Sequence, residues 1–204
     1  MIVVLISGRG SNMQALVQAG LPVSAVVSNR ADAKGLDFAR AHGIAARVVE
    51  HRDFSSREAF EKALEREIEG FSPRLLVLAG FMRVLTPGFV ARYRERMFNI
   101  HPSLLPAFAG LHTHERALAA GVKLHGCTVH FVTAELDGGP IVIQAAIPVR
   151  HGEAPDALAE RVLRQEHVIY PRAVQWFLEG RLVIQNGVVR VKGDDAQLVM
   201  AAAD

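Results

Sequence analysis

The stretch Ile2-Val3-Val4-Leu5-Ile6-Ser7-Gly8-Arg9-Gly10-Ser11-Asn12-Met13 runs five apolar residues into a turn with two glycines, then into a helix start. That order reads as a buried strand, a tight turn and a helix, the opening of a strand–helix–strand unit. Glycines let a backbone approach an anion, and the amides and dipole of a helix N-terminus attract it. A dinucleotide fingerprint is the first comparison, and two residues oppose it. Met13 stands at the third glycine position, and Asn29 ends the second strand where a ribose-binding acid is expected. Ser11 and Asn12 instead add side-chain donors, which suits one terminal phosphate. Read alone, the loop is equally well a tight turn with Ser11 as N-cap.

Outward from this loop the alternation continues. Residues 11–19 read as a helix ended by Gly20, 23–27 as a second strand, 33–42 as a helix and 45–49 as a third strand. Ser55 and Glu58 form a capping box that opens a helix running to about Glu69. Residues 75–79 are the next strand, and Thr86-Pro87 places an N-cap before a proline in the first helical position. After a strand at 97–100 comes an irregular stretch from His101 to His112 with two prolines, and long loops in compact domains are usually functional or mobile. Residues 128–132 and Ile141–Pro148 read as a meander, so the sheet is expected to become mixed there. A helix begins near Asp156, with Pro171 kinking or breaking it before Trp176. Leu182–Gln185 and Val188–Val191, joined by Asn186-Gly187, read as a hairpin. No linker or repeat divides the chain. Residues 1–192 are therefore expected as one domain, with 193–204 as a frayed tail.

Asn99-Ile100-His101-Pro102-Ser103-Leu104-Leu105-Pro106 carries the chemistry. On a strand, side chains two apart share a face, so Asn99 and His101 do. Pro102 ends the strand and leaves His101 at its C-terminal end, where open α/β sheets place their ligand crevice. An amide beside an imidazole can stabilise an oxyanion and move protons, the two needs of acyl transfer. A lone histidine is ordinarily a satisfied core or surface residue; the strand-end position and the adjacent Asn99 favour function here. Asp137-Gly138-Gly139-Pro140 read alone is a turn. Its carboxylate, if brought to His101, would favour the imidazolium. His112, His114, His125 and His130 match no dense metal motif, and solvent-facing or substrate-contacting roles are preferred for them. Ser103 beside His101 suggests a Ser–His–Asp hydrolase, but no GxSxG elbow exists.

Half of the 204 residues are hydrophobic and 22% are charged, as in ordinary globular proteins. The formal net charge is +2 with arginines dispersed, which argues against a dedicated nucleic-acid surface. The longest apolar runs fall far short of a membrane span, and no signal peptide is read at the start. The single Cys127 excludes an internal disulfide and fits a reducing compartment, so a cytoplasmic protein is expected.

Taken together, VVLISGRGSN, LVLAGFMRVL, FNIHPSLLPAFAGLHTH, HGCTVHFVTAELDGGPIV and RQEHVIYP resemble the glycinamide ribonucleotide formyltransferase family, in the same order over nearly the whole chain. The HPSLLP and DGGPI blocks are specific for the formyltransferase-fold superfamily, and the SGxGSN loop narrows the choice within it. The resemblance implies an α/β, Rossmann-like formyltransferase fold. Its sheet would be mostly parallel and twisted, mixed toward the C-terminus, with helices on both faces. By the same resemblance Asn99, His101 and Asp137 match the catalytic trio. Gly10, Ser11 and Asn12 match the substrate-phosphate loop, and Glu166 the acid that reads the ribose. The folate pocket is matched by Arg57 at the glutamate tail and by Met82, Arg83, Val84 and Leu85. Asn99 and the pterin loop of Thr133, Ala134, Glu135, Leu136 and Asp137 complete it. Two positions depart from the pattern: Arg9 in the variable place of the glycine loop, and Leu163 where a relative carries a polar residue.

The implied reaction is direct transfer, with the amine of glycinamide ribonucleotide attacking the formyl carbon of 10-formyltetrahydrofolate, a co-substrate, and with no metal. Partners are then small molecules, the nucleotide and the reduced folate, with no nucleic acid and no membrane; the oligomeric state is left open. Three rival readings stand beside it. Methionyl-tRNA formyltransferase needs a further C-terminal domain and a basic patch. Formyltetrahydrofolate hydrolase carries a regulatory domain ahead of the strand that here begins at Ile2. A non-catalytic nucleotide-binding module leaves the Asn99/His101 pair without a purpose.

Overall fold

In the computed structural model, which describes residues 1–201, the opening stretch folds as its apolar run requires. β1 (Ile2–Ile6) is buried along its whole length. A parallel strand covered on both faces has no polar alternation, and this is what the five-residue apolar run encodes. It leads through the glycine turn into α1 (Ser11–Gln18). Next come β2 (Val23–Ser28), α2 (Gly35–Ala41), β3 (Ala45–Val48) and α3 (Arg57–Glu69). β4 (Leu75–Leu78), α4 (Pro87–Arg92) and β5 (Met97–His101) follow. The remainder is α5 (Thr113–Ala119), β6 (Leu124–Phe131), β7 (Ile141–Pro148), α6 (Pro155–Leu178), β8 (Leu182–Gln185), β9 (Val188–Val191) and β10 (Leu198–Met200).

The chain divides into two compact units, the first ending at Asn99 within β5 and the second beginning at Ile100. In the first unit the strand order is β5-β4-β1-β2-β3, and every pair is parallel. α2 packs on β2 and β3. Each apolar side chain fully buried in such a core contributes roughly 1.5–3 kcal/mol. In the second unit β6 and β7 are antiparallel, β10 lies parallel to β7, and α6 packs on β6 and β7. The strands are thus mostly parallel and become mixed toward the C-terminus, as the sequence leads one to expect. β8 and β9 form a separate hairpin whose turn residues Asn186 (φ 51°) and Gly187 (φ 76°) are both left-handed, the requirement of a two-residue turn of this kind.

Several sequence expectations need correcting. The cap of α3 is Ser56, whose side chain accepts from the amide of Ala59, so the Ser55/Glu58 box is displaced by one residue. Gly10, at φ 71°, is the N-cap of α1, and Ser11 is its first helical residue. α6 runs unbroken through Pro171, because Ile169, Tyr170, Ala173 and Val174 are fully buried around it and packing offsets the lost backbone bond. The segment expected to fray instead supplies β10, with Asp195 accepting from Arg172 at 2.8 Å and also from Arg181. Residues 202–204 lie outside the described residues.

Candidate active site

β5 ends at His101, with Asn99 two residues earlier on the same strand. The imidazole is buried, and both of its nitrogens face oxygen atoms. Nδ1 lies 3.4 Å from Oδ2 of Asp137, and Nε2 lies 3.1 Å from the carbonyl oxygen of Phe108. A carbonyl only accepts, and so does a carboxylate. Protons on both nitrogens would let the ring donate to both neighbours.

Asp137 comes to His101 from the turn before β7. It has a left-handed backbone at φ 52°, a conformation that Asp and Asn tolerate better than most residues. Oδ2 accepts the amide of Gly110 at 2.9 Å, while Oδ1 lies 3.8 Å from Nε2 of His130. Burial pushes His130 below the usual histidine range. Asp137 thus lies between the two rings, closer to His101 than to His130. The turn depends on Gly139, since a Cβ there would lie 1.8 Å from the carbonyl oxygen of Phe131.

The loop after β5 is braced from β6 and β7. The hydroxyl of Thr128 donates to the carbonyl of Ser103 at 2.7 Å and accepts the amide of Leu105 at 3.1 Å. The amide side chain of Gln144 donates to the carbonyl of Leu105 and to Thr128, each at 2.9 Å. Sequence reasoning missed Thr128, Gln144 and His130 as supports; the even spacing of 128 and 130 on an inward-facing strand is the one signal that bears on them. Ser103 is fully buried and donates to the carbonyl of Ala107 at 2.6 Å, so the hydroxyl is not aimed at His101. No Ser–His–Asp nucleophile is assembled at this histidine.

Of the other histidines, His114 and His125 bond each other at 3.2 Å, and His125 is buried rather than solvent-facing. His130 is buried too, while His112 is exposed. Among the described residues no three His, Cys, Asp or Glu side chains gather as a metal-ligating group, and no helix is long and apolar enough to cross a membrane. Glu166 is buried on α6, and its charge, after burial itself, helps push the Cys127 thiol up. Thr133 donates to the carbonyl of Glu135 at 3.3 Å, and Ala134, Glu135 and Leu136 are exposed.

Apart from Leu163 on α6, the remaining expected residues belong to the first unit. A side chain at Gly10 would be strained at φ 71° and tight, with its Cβ 3.1 Å from Met13 Cε and 3.2 Å from Gly35 Cα. With glycine as N-cap, α1 receives no side-chain cap. Arg57 is exposed at the start of α3. Met82, Arg83 and Val84 are exposed, and Leu85 is half-buried. This strip is held at both ends. The amide of Met82 donates to the hydroxyl of Ser7 at 2.8 Å, and that hydroxyl donates to Asn29 at 2.6 Å. At the other end the amide of Thr86 donates to Glu61 at 2.7 Å, and the Thr86 hydroxyl also donates to that carboxylate. Asn29, noted for what it lacks as a ribose-binding acid, thus has a structural partner. Arg9 is exposed and Leu163 half-buried.

Known proteins resemble this chain along most of its length. The formyl transferase family model matches residues 1–174, a span that enters both units. The phosphoribosylglycinamide formyltransferase of Escherichia coli (strain K12) is 50% identical over 198 residues, covering 94% of this chain and 93% of the relative. The solved phosphoribosylglycinamide formyltransferase of Coxiella burnetii matches with a TM-score of 0.90 at 48% identity, over 94% of this chain and 93% of that one. That of Anaplasma phagocytophilum gives a TM-score of 0.93 at 40% identity over 98% of both chains. With a family model over most of its length and a relative half identical across nearly all of it, the chain belongs to the formyl transferase family, among the phosphoribosylglycinamide formyltransferases.

Proposed function

We propose that this protein transfers the formyl group of 10-formyltetrahydrofolate to the amine of glycinamide ribonucleotide, the third step of purine synthesis, in the cytoplasm. The observation that carries the reading is the buried His101 between the Phe108 carbonyl and the Asp137 carboxylate, on a chain 50% identical to a phosphoribosylglycinamide formyltransferase. In this reading the neutral amine attacks the formyl carbon and forms a tetrahedral intermediate. The Asn99 amide and the His101 imidazolium stabilise its oxyanion, and Asp137 holds His101 oriented and charged. Collapse breaks the bond from carbon to the folate nitrogen. The proton lost by the attacking amine reaches that nitrogen through His101 or ordered water, so no covalent enzyme intermediate and no metal is needed. Gly10, Ser11 and Asn12 are assigned to the substrate phosphate and Glu166 to its ribose. Arg57, Met82, Arg83, Val84, Leu85 and Asn99, with Thr133, Ala134, Glu135, Leu136 and Asp137, are assigned to the folate. Residues 1–192 are taken to carry the activity. Holding both substrates removes much of the entropic barrier to their meeting.

The test is a formyl-transfer assay with purified protein and 10-formyltetrahydrofolate, in the presence and absence of glycinamide ribonucleotide. Formylated nucleotide and tetrahydrofolate should appear together in equal amounts, and only when the amine is present. Release of formate without the amine would instead favour the hydrolase reading, and tight NAD binding without folate binding would favour the nucleotide-binding module.

A further inference from the structure

The loop between His101 and α5 bonds both members of the pair, and one side chain outside the assigned site spans it. Arg116, on α5, donates from Nη1 to the carbonyl of Ala109 at 2.6 Å and to that of Leu111 at 3.2 Å. Its guanidinium also lies over the Phe108 ring, 5.6 Å from the centroid. These contacts bracket Gly110, whose amide donates to Asp137, and they reach Phe108, whose carbonyl faces Nε2 of His101. The segment is strained at both ends, because Phe108 (φ 55°) and His112 (φ 56°) have left-handed backbones that bulky side chains disfavour. Such conformations persist only where the surroundings enforce them. Thr128 and Gln144 brace residues 103–105, on the near side of the loop. On the far side, among the described residues, Arg116 and the pair itself supply side-chain bonds to 108–111.

We propose that Arg116 is a positioning residue for formyl transfer: by holding 108–111 it sets the carbonyl that orients the His101 ring and the amide that orients the Asp137 carboxylate. The proposal rests on the reading of His101 and Asp137 as the transfer pair. Arginine suits the task because one planar, permanently charged group reaches two carbonyls and covers a ring, which lysine, a point charge on a flexible stem, does only in part. Without the guanidinium the strained segment relaxes, and the loss falls on turnover rather than on substrate binding.

Arg116→Met keeps an apolar stem of similar reach, and Arg116→Lys restores the charge. Three readouts apply to both variants and the wild type: kcat and KM for each substrate, the unfolding midpoint, and the ¹⁵N shifts of the His101 ring in substrate-free protein. The expected result for Arg116→Met is a kcat lower by about tenfold, short of the roughly hundredfold that a full ångström of misplacement costs. Both KM values and the unfolding midpoint should stay near wild type, and the His101 ring signals should move. Arg116→Lys should recover part of kcat. Wild-type kcat in Arg116→Met, a loss confined to KM, or a loss matching the unfolded fraction would each overturn the proposal. If the wild type transfers no formyl group, the functional reading fails instead. The ring signals then decide the positioning on their own: unmoved signals overturn it, and moved signals uphold the contact.

Discussion

His125 shows how far burial decides what a histidine does in this protein. Its ring is 1% exposed and meets His114 at 3.2 Å through nitrogens of which one must donate and the other accept, an arrangement that suits neutral rings. Burial foremost, then the charges of His114 and His101, pushes its pKa down to about 4. In the unfolded chain the same group titrates near 6.5. Between these values the unfolded state binds more protons than the folded state, so stability rises with pH. The contribution is complete above about pH 6.5 and is lost as the pH falls toward 4. Thermal unfolding midpoints measured between those limits should therefore fall less steeply in His125→Gln than in the wild type. Equal slopes would contradict this account. At the same scale, Asp137 and His101 could be singled out in the sequence, but their meeting could not, because a turn thirty-odd residues downstream supplies the carboxylate. Gln144 gave no local sign, since it acts on a loop 39 residues away in the chain. Arg116, though only five and seven residues from the carbonyls it bonds, sits in no motif that announces the contact.

Among the elements, what was legible is what local periodicity and turn chemistry encode. The apolar run of β1, the Thr86-Pro87 start of α4 and the Asn186-Gly187 hairpin all form where the sequence places them. The misplacements have physical reasons. β6 begins at Leu124, four residues before the apolar pattern announces it, because Gly126 sits in the strand with no room for a side chain: a Cβ would lie 1.8 Å from the Ala145 carbonyl oxygen. β10 has three residues, too few to show alternation. It is held by pairing with Gln144, Ala145 and Ala146, and Gln197 just before it donates to the carbonyls of Val142 and Val189. At the start of α3 two serines are adjacent, and the pattern with Glu58 selects Ser55, whereas the face formed by Phe60, Leu64 and Ile68 is buried with Ser56 as the cap. Capping serines are typically worth about 1 kcal/mol. Ser56→Ala should thus lower stability in urea by about that amount, and Ser55→Ala by much less. The reverse order would restore the Ser55 box.

At the scale of the whole molecule, the fold class follows from the order of elements: parallel strands alternating with helices first, then an antiparallel pair and a long helix. The family model runs from the glycine loop into α6, so the residues assigned to phosphate, folate and formyl transfer fall within one matched span. The central claim is that this chain transfers a formyl group with His101 held as a cation by Asp137. Asp137→Asn tests it most directly. Asparagine keeps the shape, tolerates the left-handed backbone at φ 52° and can still accept the Gly110 amide, but it carries no charge. Steady-state transfer from 10-formyltetrahydrofolate to glycinamide ribonucleotide should show kcat reduced on the order of a hundredfold or more with KM little changed. Adding His101→Ala should then cost less than the product of the two single losses, because the groups act as one unit. Near-normal turnover by Asp137→Asn from about pH 6 to 9 would contradict the imidazolium account, even in an active formyltransferase.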